Sequence, residues 1–152
     1  MNIITKQQLM LDNLLSYKTR VEKHRLPELI RFAAENIDAM DLRKCGDTIF
    51  SIQEEISEPG ISIVDVELLI PVDRSFTSSV RYVFKPVFRL ENAVLMKYCG
   101  TFGGLSGARE ELAEYLARSG FQPLTKAYCV VRNQSGENCV LDIMIGINGN
   151  SL

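Results

Sequence analysis

Two carboxylates, Glu67 and Asp142, are the residues of this chain best suited to bind a ligand, because each interrupts a strongly apolar segment. Glu67 lies in Val-Glu-Leu-Leu-Ile at 66–70, and Asp142 lies in Leu-Asp-Ile-Met-Ile at 141–145. A carboxylate in an apolar cavity without a protein partner is costly to keep charged, so it favours a cationic ligand or a hydrogen-bond donor. Alternation along a strand equally allows both carboxylates to face solvent. We predict that both bind a ligand, with solvent-facing carboxylates as the alternative.

Three aromatic side chains are predicted to accompany the carboxylates. Tyr17 and Tyr98 lie in two predicted strands, and Phe102 lies in the glycine-rich turn after the second of them. Aromatic rings can present their faces to flat or cationic ligands. Most other aromatic residues fall on or near inward-facing positions, and we expect them in the core.

The remaining motifs give little evidence for a catalytic, phosphate-binding or metal site. The glycine-rich segment 100–107 precedes a predicted helix, but it lacks the Gly-Lys-Ser/Thr ending of a P-loop and the G-x-G-x-x-G spacing. His24, the one histidine, lies between Lys23 and Arg25 at a strand–helix junction, so we expect it in solvent rather than as a catalytic base. One histidine and four scattered cysteines offer no metal-ligand spacing. We therefore predict no metal, no cofactor and no catalytic residue.

The elements that must position these residues occur twice. Residues 14–52 align with 93–131 at a constant shift of 79 positions, and residues 66–72 align with 141–147 at a shift of 75. The apolar pattern returns in phase, and each copy has the order strand, helix, strand, strand. The two carboxylates occupy the same place in the last strand of their copies.

Short links between strands indicate antiparallel pairing. The sequence therefore predicts an α+β fold with pseudo-two-fold symmetry, in which an antiparallel sheet carries two main helices on one face. We expect one domain over 1–152, with half-repeats at about 9–72 and 81–147 and a linker at 73–80. The predicted elements are helices at 26–40 and 105–119, an acidic turn at 54–60, an extended lead-in at 81–88, and strands at 9–21, 48–53, 61–72, 91–99, 126–132 and 138–147.

Composition narrows the class of protein. With 152 residues, 46% of them hydrophobic, the chain can bury one sizeable core. A net charge of −2 argues against direct nucleic-acid binding, because phosphate-binding surfaces carry a basic excess. No apolar run approaches the roughly 18 residues of a membrane span, and the N-terminus lacks a signal-peptide layout. Cys45, Cys99, Cys129 and Cys139 form no C-x-x-C pair, so we predict buried thiols, a cytoplasmic protein and no membrane partner.

Two motifs and the order of the elements resemble the GyrI-like (gyrase-inhibitor-like) effector-binding family. The segment 94–102, VLMKYCGTF, is similar to that family's strand ending in Gly-x-aromatic before a helix. The segment 141–147, LDIMIGI, is similar to its closing strand, Glu-hydrophobic-x-Ile-Pro-Val, with Asp142 in place of Glu and Gly146 in place of Pro. The resemblance covers roughly residues 9–147.

This resemblance implies a small-molecule ligand, cationic or aromatic, bound in a cleft between the half-repeats. In the family the closing-strand glutamate reaches that pocket, and the corresponding residue here is Asp142. Family members include the C-terminal sensors of multidrug-responsive transcription regulators, which implies a regulatory role. No helix-turn-helix precedes the first predicted strand, so we expect a stand-alone module or one that signals to another chain.

Three functions are open at the level of sequence. The first is small-molecule sensing through Asp142, Glu67, Tyr17, Tyr98 and Phe102. The second is a protein-interaction module, an inhibitor or accessory factor with a closed cleft and a protein partner. The third is a hydrolase, which ranks last because acids without a matched His or Cys make a thin catalytic site.

Overall fold

The computed structural model describes residues 2–148, which form six β-strands and two α-helices. The strands are β1 (Ile3–Glu22), β2 (Ile49–Glu58), β3 (Ile61–Pro71), β4 (Tyr82–Thr101), β5 (Tyr128–Ser135) and β6 (Asn138–Gly146), and the helices are α1 (Leu26–Asn36) and α2 (Leu105–Arg118). The order strand, helix, strand, strand occurs twice, so the predicted α+β class is confirmed. Residue 1 and residues 149–152 of the predicted domain lie outside the described part.

The chain divides into two compact units. The first unit is Leu11–Phe88, and the second combines Met1–Met10 with Arg89–Leu152. Within the described residues, β3 pairs with both β1 and β2 in the first unit, and β6 pairs with both β4 and β5 in the second. All four pairings are antiparallel. The antiparallel pairing predicted from the short links is confirmed within both units.

The core of the first unit lies between one face of its strands and the helical segment. Leu15 of β1 and Ile70 of β3 are directly opposite each other. Both pack in a buried cluster with Ile37, from the 3-10 turn that extends α1, and with Leu42. The apolar side of the helical segment is thus buried against the strands, and the other face of β1 and β3 carries the polar groups of the site.

In the second unit, α2 is amphipathic. Its buried residues recur at three- and four-residue spacing, as a helix with one apolar face requires: they are Leu105, Ala108, Leu112 and Leu116. Gly120 follows the helix with φ +72°, a left-handed conformation that glycine adopts without a steric penalty. Asp41 has φ 57° at the same repeat position of the first unit. Gly120 lies directly after residue 119, the predicted end of the second helix.

Loop hydrogen bonds repeat between the units at the shifts found in the sequence. The Cys45 N–H donates to the Pro71 carbonyl at 3.0 Å, and the Leu124 N–H donates to the Gly146 carbonyl at 2.7 Å. Two further backbone hydrogen bonds of the first unit have equivalents in the second. The Asp73 N–H donates to the Arg43 carbonyl, and the Asn148 N–H donates to the Gln122 carbonyl. The Val72 N–H donates to the Asn13 carbonyl, and the Ile147 N–H donates to the Asn92 carbonyl. The repeat is therefore visible in the backbone hydrogen bonds of the loops as well as in the apolar pattern of the sequence.

Each unit also has a β-bulge at the same repeat position. The register shifts after residue 52 on β2 and after residue 131 on β5. The extra residues are Gln53 and Arg132, which are 79 positions apart. A bulge redirects a side chain relative to the regular alternation. Here the Gln53 amide donates to Ser51 Oγ at 3.0 Å, and Arg132 Nε donates to Asp142 Oδ2 at 2.8 Å.

Three predicted boundaries are wrong, and each error shortens a strand. β1 begins at Ile3, β2 continues through the predicted acidic turn to Glu58, and β4 is continuous across the predicted lead-in and strand. Pairing supplies the reason for β2, because Glu55 lies opposite Val64 and thereby extends the hairpin with β3 through polar sequence. Local composition does not reveal such a partner.

The cysteine prediction is half correct. Cys129 and Cys139 are buried, whereas Cys45 and Cys99 are exposed, and all four are free thiols. Burial raises the pKa of Cys129 to about 12 and that of Cys139 to about 11. Because the thiolate is the reactive form, burial makes these two thiols less reactive at neutral pH. Among residues 2–148, no helix combines the length and the apolar character that crossing a membrane demands.

Candidate ligand-binding site

Glu67 is buried on β3, the strand that pairs on both sides in the first unit. It lies directly opposite Lys18 of β1 and Ser51 of β2. Directly opposite residues of an antiparallel pair project to the same face, as do residues two apart on one strand. Glu67 therefore shares a face with Lys18, Ser51 and Ser16. Of these, Glu67, Ser16 and Ser51 are all buried, so this face carries a compact polar group inside an apolar unit.

The Glu67 carboxylate has two donors on one oxygen. Ser16 Oγ donates to Glu67 Oε2 at 2.6 Å, and Lys85 Nζ donates to the same oxygen at 3.0 Å. Burial raises the pKa of Glu67, but the hydrogen bonds from Ser16 and Lys85 and the nearby charges of Lys85 and Lys18 outweigh it, so the pKa lies below its ordinary value. Glu67 is therefore an ionised, buried carboxylate with a built-in cationic partner.

A pocket of about 180 Å³ opens beside this carboxylate. Its lining residues are Ser16, Lys18, Val80, Arg81, Val83 and Lys85. Glu67 is hydrogen-bonded to two of them, Ser16 and Lys85. All belong to the first unit. The pocket thus combines a hydroxyl group, three cationic side chains and two valines, and such a combination can hold a small polar molecule with an apolar part.

Asp142, the second predicted acid, has the equivalent place on β6. It lies directly opposite Lys97 of β4 and Val130 of β5. Its carboxylate accepts the hydrogen bond from the bulge residue Arg132, and its side chain is 13% exposed, compared with 8% for Glu67. Neither predicted acid faces bulk water, so the solvent-facing alternative is wrong. Each acid is already paired with a cation of its own unit.

Tyr17 lies away from Glu67, on the other face of the strands. It is directly opposite Leu68, the neighbour of Glu67, so the two side chains project to opposite faces. Its ring packs against that of Tyr82 at a centroid distance of 5.4 Å and against the buried cluster of the first unit. In the structure Tyr17 is a core residue, and it does not join the polar group around Glu67.

Tyr98 and Phe102 are likewise separated from Asp142. Tyr98 is opposite Leu141, so it projects to the face that Asp142 does not use. Its hydroxyl donates to the Thr101 carbonyl at 2.5 Å. Phe102 is buried at the start of the 3-10 turn that leads into α2. These contacts position the turn before the helix, and the role of Asp142, Glu67, Tyr17, Tyr98 and Phe102 in ligand binding stays a prediction.

The same contacts explain the glycine-rich turn. A Cβ at Gly104 would lie 2.5 Å from the Tyr98 hydroxyl oxygen, and one at Gly100 would lie 2.8 Å from it. The Gly104 N–H donates to Thr101 Oγ1 at 3.1 Å. The glycines therefore allow the tyrosine to approach the backbone where the helix begins.

The sequence-based search missed the partners of Glu67. Ser16 and Ser51 each carried a usable signal, because a small polar residue interrupts an apolar run in each case (Leu-Leu-Ser-Tyr and Ile-Phe-Ser-Ile). Lys85 also interrupts an apolar run (Val-Phe-Lys-Pro-Val-Phe), but its neighbours do not indicate that it contacts Glu67, 18 positions away. Arg81 joins the site as a lining residue of the pocket, and Lys18 lines the same pocket besides lying directly opposite Glu67.

Comparison with solved structures identifies the fold. The chain aligns with EcmrR in a complex with DNA at a TM-score of 0.71 and 13% identity, over 95% of this chain and 57% of that one. It aligns with the EcmrR C-terminal domain at a TM-score of 0.67 and 16% identity, over 97% and 98% of the two chains. SAV2435 bound to tetraphenylphosphonium aligns at a TM-score of 0.55 and 15% identity, over 98% and 95%.

No protein-family description and no curated protein matches the chain. The chain spans just over half the length of the EcmrR chain in the DNA complex. At 13–16% identity these likenesses establish architecture alone. The fold of this chain is therefore that of the EcmrR C-terminal domain.

Proposed function

We propose that this chain is a small-molecule-binding domain of the GyrI-like effector-binding type, and that its ligand occupies the pocket beside Glu67. One observation carries the proposal: a buried, ionised carboxylate is hydrogen-bonded to Ser16 and Lys85, and both of these line an open pocket. Buried polar groups cost stability unless they are satisfied, and they are frequent where a ligand binds. The fold shared with the EcmrR C-terminal domain supports the proposal.

A regulatory role forms part of the proposal. EcmrR, which shares this fold over 57% of its chain, was solved in a complex with DNA. By analogy, ligand occupancy of this domain would regulate transcription or another protein. The site around Glu67 contains no histidine or cysteine among its described contacts, and its carboxylate is already paired with Lys85. We therefore propose binding rather than hydrolysis as its function.

A cationic or aromatic ligand, the class that the sequence predicts, must meet one condition at this site. Lys85 occupies the carboxylate oxygen that such a cation would need, so the ligand would have to displace the Lys85 ammonium group. The side chain of Lys85 is 42% exposed, so its ammonium group has access to water when displaced. SAV2435, which has the same fold, is bound to the cation tetraphenylphosphonium.

A ligand panel tests the proposal. Thermal unfolding is followed by fluorimetry with organic cations including tetraphenylphosphonium, organic anions and neutral aromatic compounds. We expect at least one compound to raise the Tm of the wild type, because a ligand that binds only the folded state stabilises it by mass action. Glu67→Gln should change the size of that rise, because it removes the negative charge beside the pocket and the group that holds Lys85. The matched control is Lys97→Gln, which alters an exposed lysine beside the equivalent acid of the second unit and should respond like the wild type.

Failure of the proposal would be evident in the same data. If no compound raises the Tm, or if Glu67→Gln responds like the wild type, the pocket beside Glu67 does not bind the ligand. The second candidate function, a protein-interaction module, would then gain support from the exposed residues Val80, Val83 and Val87 in one segment. Affinity capture of a stoichiometric protein partner that Val83→Asp abolishes would support this alternative.

A further inference from the structure

The charge of the pocket beside Glu67 is opposite to the one expected from its acid. Three lining side chains, those of Lys18, Arg81 and Lys85, are cationic. Among residues 2–148, the carboxylate that contacts the lining residues is that of Glu67, which is in an ion pair with Lys85. Three positive charges and one negative charge leave this group of side chains at +2. The pocket therefore attracts negative charge and repels cations that approach from solvent.

Two of the three cations are available to a ligand. Lys18 and Arg81 are exposed, and within residues 2–148 neither forms a salt bridge. Lys18 lies near enough to Glu67 to lower its pKa, but the hydrogen bonds to that carboxylate come from Ser16 and Lys85. An anion at the pocket mouth would give both free cations a partner at little desolvation cost.

Lys85 is the third cation, and it is held in place. Its ammonium group donates to Glu67 Oε2 at 3.0 Å, and Ser16 donates to the same oxygen at 2.6 Å. An ammonium group has three N–H donors, so two remain for a ligand after one is used on Glu67. Glu67 then acts as a positioning residue that aims Lys85, rather than as the group that meets the ligand.

The apolar part of the ligand has its own contacts. Val80 and Val83 line the same pocket as the cations, and both are exposed to solvent. Covering these side chains would remove apolar surface from water, which favours a ligand with a short hydrocarbon or aromatic portion next to its charge. A fully hydrated inorganic ion would leave them uncovered.

From this arrangement we infer that the pocket binds a small organic anion, in which a carboxylate or phosphate group contacts Lys18, Arg81 and Lys85 while a short apolar portion covers Val80 and Val83. The inference rests on the proposed function, since it names the ligand class of the same site. It differs from the sequence-based expectation of a cationic ligand, because the Lys85–Glu67 pair has already neutralised the acid.

The test uses four probes and the full chain. Binding of benzoate, phenyl phosphate, the neutral analogue benzamide and tetraphenylphosphonium is measured by NMR titration, at low and at high salt. We expect both anions to shift resonances of the pocket residues, benzamide to bind at least about tenfold more weakly, and high salt to weaken the anions. The stronger of benzoate and phenyl phosphate identifies the preferred anionic group.

Variants locate the binding. Lys18→Gln combined with Arg81→Gln should lower the affinity for the anions about tenfold or more, since two charge-assisted contacts are lost. Lys97→Gln, at the position equivalent to Lys18 in the second unit, should leave it unchanged. Equal Tm values of the variants and the wild type in buffer verify that folding is unaffected.

The remaining outcomes separate this inference from the proposed function. If benzamide binds as well as benzoate, or if the double variant binds anions like the wild type, the anionic ligand class is wrong. If tetraphenylphosphonium binds and Glu67→Gln abolishes that binding while anions fail to bind, the ligand is a cation that displaces Lys85, and the proposed function survives. If no probe binds at millimolar concentration, both are wrong.

Discussion

The two acids of this chain occupy equivalent positions and yet have different surroundings. Glu67 and Asp142 lie on the doubly paired strand of their units, and each is directly opposite a lysine, Lys18 or Lys97. The carboxylate of Glu67 is approached by a serine and by Lys85, whereas that of Asp142 receives the arginine of the neighbouring bulge. The same scaffold therefore occurs twice, with different surroundings for each acid.

The divergence concerns buried hydroxyl groups. Ser16 and Ser51 are buried on the face of Glu67, and the residues 79 positions later are Leu95 and Val130. Buried hydroxyls bring no apolar stabilisation and must be satisfied, so a unit optimised for stability alone would replace them. Their presence beside Glu67 supports our proposal that the ligand binds in the first unit.

A serine introduced into the second unit is expected to have the largest effect on stability. Leu95→Ser places the residue of the first unit at the equivalent buried position of the second. We expect it to lower the free energy of unfolding by about 3 kcal/mol, because a buried leucine is lost and a hydroxyl replaces it. Urea unfolding measures the change. A loss below about 1 kcal/mol would mean that the second unit tolerates a polar group as the first does.

Removing the cationic partner of each acid should have a smaller effect on stability, and it tests whether the two acids have different environments. Lys85→Met should lower the free energy of unfolding by about 2 kcal/mol, since it leaves the more deeply buried carboxylate of Glu67 with one donor fewer. Arg132→Met should cost about 1 kcal/mol, because Asp142 is more accessible to water. Equal losses in urea unfolding would contradict the difference in environment that we assign to the two acids.

The smallest effect is expected in the pH dependence of stability, to which Glu67 contributes through its lowered pKa. The folded-state pKa of Glu67 lies below its unfolded value, so its ionised form stabilises the protein at neutral pH. That stability is fully present above the ordinary carboxyl pKa of about 4.3 and disappears as the pH falls through the lower folded value. Glu67→Gln should therefore lose less stability between neutral and acidic pH than the wild type. Parallel profiles would show that the carboxylate does not stabilise the folded state.

Periodicity and spacing predicted the helices and strands well. They did not predict which residues of neighbouring strands share a face. The apolar stripes placed both helices within a few residues of their observed ends, and the short links identified antiparallel pairing. The assignment of Tyr17 next to an acid did not follow from alternation, since alternation states only which residues of one strand share a face. Whether Tyr17 and Glu67 share a face depends on the register between β1 and β3, and a slip of one residue reverses the answer.

The cation that pairs with each acid could not be predicted from the sequence either. Lys85 follows the apolar residues Tyr-Val-Phe and Arg132 follows Val-Val, and nothing in their neighbours indicates which acid each of them contacts. Lys85 reaches Glu67 because β4 begins nine residues earlier than the predicted strand, and Arg132 reaches Asp142 because a bulge redirects it. Strand extension and bulges depend on backbone pairing between distant segments, which composition does not record.

The amino-acid sequence alone established the duplicated order of elements, the antiparallel α+β class and the place of an acid in the last strand of each half. These follow from local periodicity, turn residues and spacing, all of which act over short stretches of chain. Strand register, bulge positions and the cation that pairs with each acid emerged only when the strands were assembled. Such contacts join residues far apart in sequence, and their energies depend on burial and distance, which exist only in the folded chain.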